Sequence, residues 1–89
     1  MNRVNRSINL NDIWSDFDKP QSGQQFKHYK GGLYTVLTTG LLEDSLQPAV
    51  VYQSNTDETV WIRSAEDFFA KINIENESQQ RFILEEEKQ

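Results

Sequence analysis

Between Phe26 and Leu37 the chain reads Phe-Lys-His-Tyr-Lys-Gly-Gly-Leu-Tyr-Thr-Val-Leu, two short runs rich in aromatic and β-branched residues around the pair Gly31-Gly32. A chain that reverses between antiparallel strands needs turn backbone with positive φ, which glycine adopts freely, and side chains on either flank that pack on a pleated surface. The stretch therefore predicts a β-hairpin, with strand one over about Gln25 to Lys30 and strand two over about Leu33 to Thr39. The same dozen residues hold the only histidine, two of the three tyrosines and two of the nine cationic side chains. Fold and candidate site share one address.

The length of 89 residues allows one folded unit. A chain this short buries only about 60 % of its unfolded surface, so its core must be compact. Cysteine is absent, which removes a disulfide framework and a thiolate zinc site as staples. With 14 acidic against 9 basic side chains the net charge is −5, which argues against sequence-independent nucleic-acid binding. The charges are unevenly placed. Asp12, Asp16 and Asp18 lie near the N-terminus and Glu85, Glu86 and Glu87 at the end, whereas Lys27, Lys30, Arg63 and Arg81 fall in or beside predicted strands. No apolar run reaches the length of a membrane span, and Arg3 and Arg6 are followed by no hydrophobic block of the kind a signal peptide carries. A cytoplasmic location is the expectation.

Met1 to Ser7 is polar and without period, and is expected to be disordered. Leu10, Ile13, Trp14 and Phe17 recur at helical spacing behind Asn9 as a cap, which predicts a short amphipathic helix in an arm of residues 1–23. Residues 24–84 form the β domain and residues 85–89 an acidic tail. Within the domain, Gly40 is expected to mark a bend or bulge that carries strand two into Leu41-Leu42. Strands three and four run from Ala49 to Gln53 and from Thr59 to Arg63 around the polar turn Ser54 to Glu58. Ser64-Ala65-Glu66-Asp67 is a helix start of the capping-box kind, with Phe68, Phe69 and Ile72 on its apolar side. A polar turn over Asn76 to Gln80 leads to a closing strand, Arg81 to Leu84. Five short strands with one helical turn before the last predict a mainly β fold, a small SH3-like barrel whose closure removes exposed edges.

Phe26-x-His28-Tyr29-Lys30-Gly31, Tyr34-x-Val36, Val50-Val51-Tyr52, Trp61-Ile62-Arg63, Phe68 or Phe69, and Arg81-Phe82 resemble, in order and spacing, a family of small bacterial domains of unknown function, number 1653. Its pattern runs roughly H-Y-K-G, Y-x-V, V-V-Y, W-V-R-P, M-F and R-F. The resemblance spans about residues 25–84 and implies an SH3-like β-roll with no established activity. Two departures stand out: Ser64 replaces the proline after W-V-R, which still suits a helix start, and the N-terminal arm with Trp14 and Phe17 is longer than expected for the family.

Tyr29, Tyr34, Tyr52 and Trp61, one on each of four predicted strands, could group as a cage or groove for a peptide, a methylated cation or a base. The competing account is that they fill the core or its rim. His28, Lys30, Arg63 and Arg81 could accept a phosphate or carboxylate, with Arg63 the best bidentate donor, though strand alternation keeps all of them from converging. One histidine and scattered acids match no metal-ligand spacing, and no nucleophile grouping or phosphate loop is visible. Neither a metal nor another cofactor is expected, and enzymatic activity is not. The leading expectation is a binding or adaptor module for a protein partner, working through a barrel face or the arm. The alternative is a small-molecule or nucleotide site made of Tyr29, Lys30, Trp61 and Arg63. Arm contacts would come from Leu10, Ile13, Trp14 and Phe17, meeting a groove in a partner, a second copy of the chain, or the domain's own sheet.

Overall fold

The computed structural model describes residues 9–85; the expected disorder of Met1 to Ser7 and the acids Glu86 and Glu87 lie outside that range. Seven strands and two single-turn helices follow in the order α1 (Leu10–Ile13), β1 (Gln25–His28), β2 (Leu33–Leu41), β3 (Pro48–Ser54), β4 (Val60–Ser64), α2 (Ala65–Phe68), β5 (Lys71–Ile74), β6 (Glu77–Gln80) and β7 (Phe82–Glu85). Five of them form an antiparallel sheet in the order β4-β3-β2-β1-β7, and β5 and β6 form a separate two-stranded ribbon. The mainly β expectation holds, but the closed five-stranded barrel does not. β4 and β7 stand at opposite edges of an open sheet, and the segment expected to continue the second helix through Ile72 and then turn over Asn76 to Gln80 is the β5–β6 ribbon instead.

The β1–β2 hairpin forms where glycine permits it: Gly31 and Gly32 have φ of 102° and 91°, and the turn is tied by the His28 N–H to Gly32 carbonyl bond at 3.1 Å. β1 stops at His28, two residues before the expected end. The irregularity in β2 falls at Leu37 rather than Gly40, since Val36 pairs with Tyr52 and Thr38 with Val51, while Gly40 pairs regularly with Ala49. One extra residue there keeps Val36 and Thr39 on the same face. The stretch after Pro20 is held down as well, through bonds of 2.8 Å from the Gly23 N–H to the Val36 carbonyl and from the Val36 N–H to the Gln24 carbonyl.

Register and alternation put Phe26, His28, Tyr34, Val36, Val50, Tyr52, Trp61, Arg63 and Phe82 on one face of the sheet. Helix α2 covers part of it. Its start is set by Ser64, whose hydroxyl accepts the Asp67 N–H at 3.1 Å, and it buries Ala65 and Phe68 completely. Phe68 stacks on Phe82 at 4.3 Å between centroids and meets Phe26 and Tyr52 edge-on at 5.0 and 5.3 Å. The N-terminal arm covers the flank of this cluster: Trp14 is buried in the core, and Phe17 stacks on Phe69 at 5.7 Å. Its helix is a single turn that ends before Trp14 and Phe17, and Leu10 remains exposed. Ser64→Ala removes the α2 cap and is expected to lower unfolding stability by about 0.5–2 kcal/mol in urea titration, with Ser64→Asp retaining most of it.

Candidate functional site

The arm and α2 do not reach one end of the aromatic face, and an open cleft of about 120 Å³ remains there, lined by His28, Tyr34, Tyr52, Trp61, Arg63 and Phe82. Each wall follows from the ladder. Tyr52 and Trp61 are direct cross-strand partners, as are His28 and Phe82, and Tyr34 meets Tyr52 and Phe82 edge-on at 5.6 and 5.7 Å. Arg63 lies diagonal to Tyr52 and donates from Nε to the Tyr52 Oη at 3.2 Å. This bond orients the guanidinium and leaves its two terminal nitrogens for other acceptors. None of the six lining residues is acidic. Trp61, at the sheet edge, leaves half its surface in solvent.

His28 closes the cleft opposite Trp61. Its Nδ1 accepts the Lys30 N–H at 3.1 Å, so the neutral ring carries its proton on Nε2. Burial lowers the His28 pKa from its ordinary value, and the positive charges of Arg63, Arg81 and Lys30 lower it further. Protonation would also set two N–H groups against each other at Nδ1. The folded state thus binds the proton less tightly than the unfolded state, and this contribution to stability is lost as pH falls from about 6.5 through the lower folded value. As the chain has a single histidine, its ring resonances in a proton NMR titration are expected to show a midpoint below the free value.

Five of the six sequence pieces that carry the family resemblance meet here. His28, Tyr34, Tyr52, the Trp61 and Arg63 pair, and Phe82 each come from a different piece, and the sixth, through Phe68, supplies the floor beneath Phe82 and Tyr52. A family model described as a protein of unknown function, DUF1653, matches residues 24–84. The chain belongs to the DUF1653 family. No curated protein and no solved structure matches it significantly. The aromatic and cationic members of the DUF1653 signature converge on one cleft in this chain.

Of the residues singled out from sequence, the structure brings together His28, Tyr34, Tyr52, Trp61 and Arg63. Tyr29 and Lys30 stay outside the lining. They follow the end of β1, where the Lys30 ammonium sits 5.7 Å from the Tyr29 ring centroid and Tyr29 packs beside His28 at 4.5 Å. Arg81 serves α2: its Nε donates to the Asp67 carbonyl at 3.0 Å, a cation at a helix C-terminus. The arm residues Trp14 and Phe17 are packed against the domain's own core, while Leu10 stays exposed and Ile13 is half-buried against the cluster. Phe82 was not anticipated as a cleft wall, and only the β1–β7 register places it opposite His28. Among the described residues there is no group of His, Asp or Glu arranged to hold a metal ion, and no helix is long and apolar enough to cross a membrane.

Proposed function

We propose that this DUF1653 domain is a non-enzymatic binding module for a protein partner, and that its cleft receives an acidic side chain from an extended segment of that partner. The observation that carries the reading is the Arg63 guanidinium, oriented by Tyr52 within an aromatic cleft whose lining holds no acid. An oriented guanidinium among aromatic rings suits a carboxylate, which it grips with two parallel hydrogen bonds. The volume favours a side chain over a free ligand: 120 Å³ falls below the roughly 300–1,000 Å³ typical of sites for drug-sized molecules. His28 gives up Nδ1 to a backbone N–H, which leaves the cleft without a free proton acceptor on that ring atom and supports binding over catalysis. The order β4-β3-β2-β1-β7, with a helical turn between β4 and the last strand, supports the SH3-like reading of the roll.

Titrating isotope-labelled protein with short extended peptides bearing a central Glu, against the same peptides with Gln, tests the reading. Saturable shifts confined to His28, Tyr34, Trp61 and Arg63 with the Glu peptides alone are expected. Equal response to AMP and none to the peptides would transfer the cleft to the small-molecule reading.

A further inference from the structure

The edge strand β4 carries Val60, Trp61 and Ile62 at 49, 50 and 66 % exposure, three large apolar residues in a row on the outside of a sheet. Natural edge strands are blunted by lysine, proline, a bulge or a covering element. β4 has no lysine or proline, its one charge, Arg63, lies on the cleft face, no described strand pairs with its outer side, and its register with β3 runs without a shift from Ala49↔Ser64 to Gln53↔Val60. The opposite edge strand, β7, also exposes Ile83 and Leu84 but ends on the acid Glu85, which sets like charges against a second copy pairing there.

We propose that β4 pairs antiparallel with β4 of a second copy, across a two-fold axis at Ile62. Two independent features fit that register. The first is the backbone. The Ser54 N–H bonds the Thr59 carbonyl at 2.9 Å, and the alternation of an antiparallel ladder then directs the N–H and C=O of Trp61 and Arg63 to β3 and those of Val60 and Ile62 to the free side. An axis at Ile62 makes Ile62 with its symmetry mate a hydrogen-bonded pair and satisfies the outward groups of both copies. The second is the side chains. The same axis sets Trp61 of each copy directly opposite Arg63 of the other, in the closely spaced non-hydrogen-bonded position, so two cation–π contacts form on the cleft side of the joined sheet. The two clefts then lie side by side along the seam. Of the three contacts the sequence offers the arm, a second copy is one, but its tryptophan is buried in the domain's own core, and β4 takes the contact between copies. A five-residue strand gives a contact at the small end of specific interfaces, so the dimer is reversible.

Sedimentation equilibrium of the whole chain over a concentration series reads the dimer, and Ile62 provides the variants because its side chain is mostly in solvent. Ile62→Lys places two ammonium groups across the axis and is expected to weaken self-association by more than about tenfold, as is Ile62→Glu. An equimolar mixture of the two is expected to associate at least as well as wild type, an outcome that needs the axis at residue 62. In the unsubstituted chain, amide exchange at Val60 and Ile62 is expected to slow as concentration rises. A wild-type chain that stays monomeric throughout, an Ile62→Lys chain that dimerises as well as wild type, or a mixture that fails to form the heterodimer would each overturn the proposal.

Discussion

Replacing Trp14 by alanine is expected to cost about 3–5 kcal/mol of unfolding free energy, the range for deleting a large buried aromatic. For a domain of this size total stability is on the order of 4–13 kcal/mol, so the variant loses a large share of it and melts roughly 15 °C or more below wild type. The indole is only 6 % exposed and belongs to the same cluster as Phe26, Phe68 and Phe82. It meets Phe17 edge-on at 6.2 Å, and Phe17 in turn stacks on Phe69, so a cavity at residue 14 loosens the contact between arm and α2 as well. Leu10→Ala is the matched control. Leu10 is on the same helical turn but half in solvent, and its loss is expected to stay within about 0.5 kcal/mol. Deleting residues 1–23 should fall at least as far as Trp14→Ala, since the Gly23 N–H bond to Val36 goes with it. A Trp14→Ala protein with the wild-type melting curve would mean that the arm contributes nothing to the fold and is free for a partner.

The hairpin was legible because Gly31 and Gly32 have positive φ, a conformation that residues with a Cβ rarely adopt. The start of α2 was legible because Ser64 caps it through a local contact only three residues long. The β5–β6 ribbon was hidden for the opposite reason. All four residues of β6 are exposed, so no apolar alternation announces a strand, and its turn uses Glu75 and Asn76 at φ of 52° and 69° instead of the glycine that marks the first hairpin. Barrel closure was expected because it removes edges. Whether β4 and β7 meet is decided by twist and by what covers the core, and neither is written in a local pattern. The candidate site was partly legible for a similar reason. Tyr34, Tyr52, Trp61 and Arg63 sit at regular strand positions whose face follows from alternation, and they converge. Tyr29 and Lys30 were assigned by continuing strand one to Lys30, but the chain leaves the ladder at His28. Alternation on a strand run to Lys30 puts Lys30 on the face of His28 but Tyr29 on the other, so the overrun accounts for Lys30 alone, and Phe82 enters only through the β1–β7 register, which pairs it with His28.

Arg63→Met is expected to weaken binding of Glu-bearing peptides by about 10- to 100-fold, the loss of a charge-assisted hydrogen-bond donor worth about 1.5–3 kcal/mol. Methionine keeps much of the arginine stem against the aromatic wall, so the change removes the charge and the fork with little loss of packing. Arg63 is half-buried, and the melting temperature should move by only a few degrees. Arg63→Lys separates charge from geometry. Its ammonium retains the Coulomb attraction but cannot hold the Tyr52 hydroxyl from Nε and offer two parallel donors at once, so its affinity should fall between wild type and Arg63→Met and decline more steeply with salt. Tyr52→Phe approaches the same contact from the other side, because without Oη the guanidinium is no longer oriented and binding weakens while its charge is intact. His28 reports on the occupant independently. Burial first and the positive charges of Arg63, Arg81 and Lys30 second hold its pKa down, and a carboxylate in the cleft offsets the charges, so peptide binding is expected to raise the His28 midpoint and to strengthen as pH falls toward it. If Arg63→Met binds the Glu peptides as tightly as wild type, or if the His28 midpoint does not move on saturation, the acidic group is not in this cleft and the module binds through another face.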